Sequence, residues 1–569
     1  MRTFAFQIIL HMKRILLILF VLPVILTGCG KDNITTADTN DTTGTGNIDV
    51  DTTTVVDLSD YDRTVTVVFS PSGDASVSGD SAGVSARISG NGVTITNTST
   101  SKVAYRLSGS TSNGYLKVYS AHGQALVLEG VSITHPSGAA INLQGPQDEP
   151  GKGKVSKIIL VGGSTLADGA TYSNTPTLED EKSALFSEGG LVLSGDGTLT
   201  VNATGKSGIT SDSYVHILEG PTVNVSSTAG HGIRGKDYVL VSGGTLGIRV
   251  TAAMKKGLGS DTLVRFDGGR TTIQISGDAG YDSETSTYTG TAGVRAGMQF
   301  VMNGGTLDIT NSGRGGKGIV CPGTGTFAGG SVNISTTGAN YPNSTDTIAA
   351  KAIRFEGNLT FSGSSVVAKC TNNEAIESKG TITISDGTIY AYSPSDDAIN
   401  SKGDFTITGG RLYAHSAGND GIDANGNCYI RGGLVYAITT KGNPEVAIDA
   451  NSEQRKKLYI EGGTIIAVGG LERGAQMTQT CYQVQSWSKN AWYAMTVGSD
   501  TYVFKTPSGG NSLILSGSTQ PTLLSNPTIE GGTEIFEGMF KLNAEVSGGS
   551  SVNLSQYNSN GGGPGPWKQ

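Results

Sequence analysis

The chain reads as an all-β protein, a parallel β-helix, and three observations predict it. Gly380, Gly403 and Gly426 close successive units 23 residues apart. The units, Thr381 to Tyr392, Asp404 to His415 and Asn427 to Ile438, each read as strand, tight glycine turn, strand. Self-similarity at that period is the signature of stacked repeats, and short alternating strands without an intervening helix select a β-helix among them. Glycine, at 84 of 569 residues, is roughly twice as common as in an average globular protein. Without a Gly-X-Y period this excludes collagen; the glycines sit instead at coil corners that need φ > 0. Charged residues make up only 15%, and the net charge of −8 argues against a nucleic-acid binder.

The N-terminus reads as a secretory address. Lys13-Arg14 supplies a positive region, Ile15 to Ile25 an apolar run too short for a membrane helix, and Leu26-Thr27-Gly28-Cys29 a lipobox. Residues 1–28 are therefore expected to be a lipoprotein signal peptide, with lipid on Cys29 and a flexible Thr/Asp-rich tether over residues 29–54. Gly30-Lys31-Asp32 after the lipid cysteine resembles the export signal of bacterial surface lipoproteins, which points to the outer membrane and the cell surface. Residues 55–185 read as an N-terminal β cap and first coils, 186–475 as the helix proper, and 476–569 as a C-terminal cap and tail. The chain is expected to be a monomer. Cys428 falls in register with Ile382, Phe405 and Leu458 and reads as an apolar filler; the cysteines show no metal-finger spacing.

Stacking at about 4.8 Å turns each spacing of one period into a vertical column. Ile389, Leu412 and Val435 form an inward column, and so do Ala391, Ala414 and Ala437. Tyr390, Tyr413 and Tyr436, between them, must point outward. An outward aromatic ladder either meets pyranose rings or is covered by another segment. A second group of columns is charged: Lys351, Glu374, Asp397, Asp420; then Arg354, Glu377, Asn400, Asp423; then Glu356, Lys379, Lys402, Asn425. Stacked carboxylates repel by about 3 to 4 kcal/mol at an effective dielectric near 20. Either Ca²⁺, which takes about six to eight oxygens, offsets this, or the acids bond to backbone as a turn ladder. In earlier coils the first column holds Ser207, His231, Lys256 and Lys317, so the face runs from basic to acidic. That polarity suits an anionic polysaccharide gripped by Lys351 and Arg354, or equally a solvated salt-bridge face.

Ser227 to Asp237, Asn419 to Gly426 and Glu461 to Ala467 resemble the carbohydrate-binding β-helix family of bacterial surface proteins, similar in fold to family-9 polysaccharide (pectate) lyases. The resemblance spans roughly residues 100–475. It implies a right-handed parallel β-helix, Ca²⁺ bound through acidic turn residues, here Asp396, Asp397, Asp420, Asp423 and Asp449, and binding of polysaccharides such as pectin or cellulose. The early coils depart from the pattern, with Lys206-Ser207, Gly230-His231 and Lys255-Lys256 where paired Asp is usual. A lyase needs a base, for which Lys379 and Lys402 are the candidates, though both also serve as counter-charges in the acidic ladder. No nucleophile set singles itself out, so the reading is a non-catalytic, Ca²⁺-assisted polysaccharide binder. A Ca²⁺-dependent lyase and a surface adhesin are the alternatives.

Overall fold

The structure is a computed structural model that describes residues 48–559, apart from 49, 54, 80–81, 148–150, 152, 174–178 and 343–346. The expected signal peptide, Cys29 and the glycine-rich tail lie outside the described residues. Each coil has three strands. In one coil these are Leu191–Gly195, Thr198–Ala203 and Ser207–Ser211; the next repeats them as Tyr214–Ile217, Thr222–Ser227 and Ile233–Gly235, every pair parallel and in register. Stacking generates three faces, called here first, second and third in chain order. The described residues contain no α-helix, and the parallel β-helix is confirmed.

Alternation of inward apolar and outward polar residues builds one continuous core from Val65 to Ile514. Each fully buried aliphatic or aromatic side chain in it contributes about 1.5–3 kcal/mol. Phe300, Phe327 and Phe361 stack within it at centroid distances of 5.1 and 4.9 Å. Cys428 is buried in register between Phe405 and Leu458, and all four described cysteines are free thiols.

The turn between first and second faces is often Gly-Gly, and the two glycines answer different constraints. A Cβ on Gly304 would lie 2.4 Å from the carbonyl oxygen of Asp267 in the coil below, whereas Gly305 has φ +77°. The first permits backbone approach and the second the left-handed corner.

Parallel stacking begins well before the sequence repeat becomes clear. Arg63–Phe69 already pairs in parallel with Val103–Thr111, and the hairpins made with Ser76–Gly79 and between Val84–Ser89 and Asn91–Asn97 cap the N-terminal end. The segment expected to be a free tether is docked where described. Ile48 and Val50 pack on Tyr214, Tyr238, Leu240, Leu263 and Val301 of the first face. Asp51 accepts hydrogen bonds from the Tyr214 hydroxyl at 2.6 Å and from Thr53 N–H at 2.9 Å, and lies 3.1 Å from His216 Nδ1.

At the other end Ile465 to Val468 pair antiparallel with Leu513–Ser516, which ends the parallel stack on the second face, while Tyr459 and Ile460 still pair in parallel with Gln476–Met477. A six-stranded antiparallel sheet built from Trp492–Val497, Asp500–Lys505 and neighbouring strands then folds back over the second face. This cap corrects the open aromatic ladder. Tyr390, Tyr413 and Tyr436 are 8%, 1% and 0% exposed, packed with Tyr493, Phe504, Leu515, Phe536 and Phe540. The Tyr436 hydroxyl donates to Lys505 O at 2.7 Å. They are a docking seam and do not reach a glycan. Because Tyr413 sits under the cap, Tyr413→Ala is expected to destabilise its docking by about 3–5 kcal/mol. Limited proteolysis should then cut within residues 481–556 before any cut appears in the coils.

Candidate functional site

The charged columns lie on the third face. Registers place Lys256, Ala292, Lys317 and Lys351 one above another, and the column continues through Glu374, Asp397 and Asp420. All of these residues are buried. Acceptor side chains in the column take the backbone N–H of the equivalent residue one coil on. Ser207 Oγ holds His231 N–H at 3.1 Å, His231 Nδ1 holds Lys256 N–H at 3.0 Å, Asp397 Oδ1 holds Asp420 N–H at 3.0 Å, and Asp420 Oδ1 holds Val446 N–H at 2.5 Å. The column is therefore a turn ladder, and one oxygen of each of these aspartates is committed to it.

The basic half is spent inside the protein. Lys256 Nζ donates to the carbonyls of Met254 and Gly290 at 3.0 and 2.6 Å. Lys351 Nζ lies 2.7 Å from both Glu374 and Glu377, and Arg354 pairs with Glu356 at 2.6 Å and Glu377 at 3.5 Å. Burial pushes the Glu377 carboxyl up, but Lys351, Lys379 and Arg354 outweigh it and hold the group down at about 2. Lys351 and Arg354 are thus counter-charges for a buried glutamate, which corrects their assignment as glycan ligands. Lys379 is bonded to Glu377, so it has the counter-charge role and not that of a free base. Lys402 is exposed.

The acidic half carries unbalanced charge. Burial, then Asp423, push Asp397 up to about 8; burial raises Asp420 to about 7 and Asp423 to about 6. Burial and a hydrogen bond shared with Glu472 push Asp449 up as well. Among the described residues no three His, Cys, Asp or Glu side chains converge to hold a metal ion. The five aspartates are therefore not one site: Asp396 is tied to Asp397 N–H at 3.0 Å and Asn419 Nδ2 at 3.3 Å, and Asp449 pairs with Glu472. The Asn400 side-chain NH₂ donates to Asp397 Oδ2 at 3.1 Å and to Asp423 Oδ2 at 2.7 Å, so these two carboxylates are joined through one amide and are the oxygen groups that could hold a Ca²⁺ between them.

Sequence reasoning missed the open part of the second face. The outward column that ends in the buried tyrosines begins, N-terminally, as Thr165, Thr200, Asn224, Gly247, Thr272, Asp308 and Asn333. It then passes through Val367 to Tyr390, Tyr413, Tyr436 and Ile466. The column changes from polar to apolar where the cap covers it. Where it is polar, a groove of about 300 Å³ lies around Gly247. The signal in the sequence was that lone glycine in an otherwise polar column.

Groups held above their unfolded values bind extra protons in the folded state, so the stability they confer is complete near pH 4 and is lost as pH rises through 6 to 8. In EDTA the melting temperature should fall across about pH 4 to 8. Asp397→Asn, whose amide oxygen still accepts Asp420 N–H, should flatten that slope, as a pH series of thermal melts would show.

A protein-family model described as carbohydrate-binding domain-containing protein matches residues 89–416. No curated protein matches the chain. Among solved structures, a polysaccharide lyase-like protein from C. thermocellum, determined as a gadolinium derivative, is similar at 23% identity and a TM-score of 0.37, covering 48% of this chain and 97% of that one. At those values the likeness carries no functional weight. The family match covers every coil from the N-terminal hairpins to the middle tyrosine of the capped ladder, more than half of the chain, and the protein therefore belongs to the carbohydrate-binding domain-containing protein family.

Proposed function

We propose that the protein is a non-catalytic polysaccharide-binding module displayed on the outer membrane by lipid on Cys29. The observation that carries the binding function is the family match over residues 89–416, which falls on the rigid coil stack. Ca²⁺ held by Asp397 and Asp423 would neutralise the part of the ladder where stacked carboxylates have no ammonium partner, and so fix those turns. That role supports the scaffold and makes no direct claim on the sugar. The non-catalytic reading is supported by the charges themselves: Lys379 is paired with Glu377, and Asp397 and Asp420 each commit one oxygen to the turn ladder.

The test is a glycan array probed with the full-length protein in detergent, with Ca²⁺ or EDTA, alongside a near-ultraviolet assay for unsaturated products. Glycan binding without product formation is expected, together with a rise in melting temperature when Ca²⁺ is added at pH 8. Accumulating unsaturated product would replace this reading with a lyase; protein ligands bound in the absence of any glycan would replace it with an adhesin.

A further inference from the structure

The groove on the second face has a chemistry of its own. It spans four successive coils, with Asn202, Asn224, Arg249 and Gln274 exposed around it and Ser226 and Thr272 half-buried. The coils advance by about 4.8 Å each, so these side chains form two rows running along the helix axis. One row is Thr200, Asn224, Gly247, Thr272; the other is Asn202, Ser226, Arg249, Gln274. Gly247 makes the depression. Its neighbours in the row carry side chains and it carries none, and the strand segments of the core residues Val225 and Ile248 form the groove floor.

The side chains of Asn202, Asn224, Arg249 and Gln274 have no hydrogen-bond or ion-pair partner among the described residues. That contrasts with the charged residues of the third face and with Arg270, bound to Asp308 at 2.7 Å where the face continues. Amides and hydroxyls each donate and accept, which matches sugar hydroxyls, groups that do the same. The groove has one charge, that of Arg249. A polymer carrying a carboxylate or sulfate on every residue would need a cation in every coil, and the rows place Thr, Asn, Ser and Gln there instead.

We propose that this groove is a subsite for an uncharged polysaccharide strand lying along the helix axis, with the amide and hydroxyl rows bonding successive sugars and the Arg249 guanidinium donating to a pair of hydroxyls. It rests on the carbohydrate-binding reading and adds to it the place, the direction of the chain and the neutral class. The acidic ladder lies on a different face, so binding here does not depend on Ca²⁺.

The experiment compares wild type with the double variant Asn224→Ala/Arg249→Ala and with Gly247→Gln, which fills the depression. A Cβ at Gly247 would meet Asn224 Oδ1 at 2.7 Å, the end of an exposed side chain that can turn aside. Calorimetric titration with cello-oligosaccharides, xylan and galactomannan, and with polygalacturonate as the charged probe, is run in EDTA with melting temperatures measured in parallel. Both variants are expected to lose at least tenfold in affinity for the neutral glycan that wild type binds, with unchanged melting temperature. If Gly247→Gln melts early, the surface double variant decides. Equal neutral-glycan affinity in wild type and double variant overturns the subsite while leaving the carbohydrate reading intact, as does binding of polygalacturonate alone. Wild type that binds no glycan of either class overturns the carbohydrate reading and the subsite with it.

Discussion

The in-register parallel stack governs everything else in this molecule. Equivalent residues recur about 4.8 Å apart, so no side chain is chosen alone. An inward position must suit the residue above and below it, which is why Phe300, Phe327 and Phe361 pack ring on ring. A corner that brings backbone within reach of the coil below must be glycine, as at Gly304. An outward charge meets its own kind unless the next coil supplies the opposite sign.

The third face shows how such a column is kept stable. Its first members, Ser207 and His231, accept turn N–H groups, and Lys256 in the middle places an ammonium on turn carbonyls. Its C-terminal members use carboxylates on turn N–H groups, as Asp397 and Asp420 do. The sign changes at Lys351, which bridges Glu374 and Glu377. Beyond that junction burial and mutual repulsion push the aspartates up, because no further lysine in the column answers them. A buried ion pair that loses one partner costs far more than the pair gains, so the junction is the least replaceable point of the face.

The repeat, the inward columns and the reversal of charge were legible in the sequence because they are local and periodic. The first coils were not, since hairpins and unequal corners hide their period although Arg63–Phe69 already stacks in parallel. The outward direction of Tyr390, Tyr413 and Tyr436 followed from alternation, but their cover did not. It comes from strands near residues 493–540, and contacts of that sequence separation leave no periodic trace. The neighbouring column held the hint: Ile438 and Val468 are apolar and outward, as a solvated face would not be. The groove escaped because exposed Asn, Thr and Gln look like ordinary surface until registers set them beside Gly247.

Ring geometry limits what a tyrosine ladder on such a sheet can offer. Tyr390 and Tyr413 stack at 4.8 Å with an interplanar angle of 3°, and Tyr429 and Tyr459, outside the cap, stack at 4.9 Å and 10°. In-register aromatics spend their faces on each other and turn edges and hydroxyls outward. A pyranose seeks a ring face, and the free face of Tyr429 is taken by the Arg431 guanidinium at 4.3 Å. Aromatic stacking is therefore an inherently self-satisfied device on a parallel β-helix, suited to seating a cap. Sugar recognition on such a surface falls to groups that remain unpaired when stacked, and on the second face the amides and the guanidinium around Gly247 are such groups, gathered at one depression.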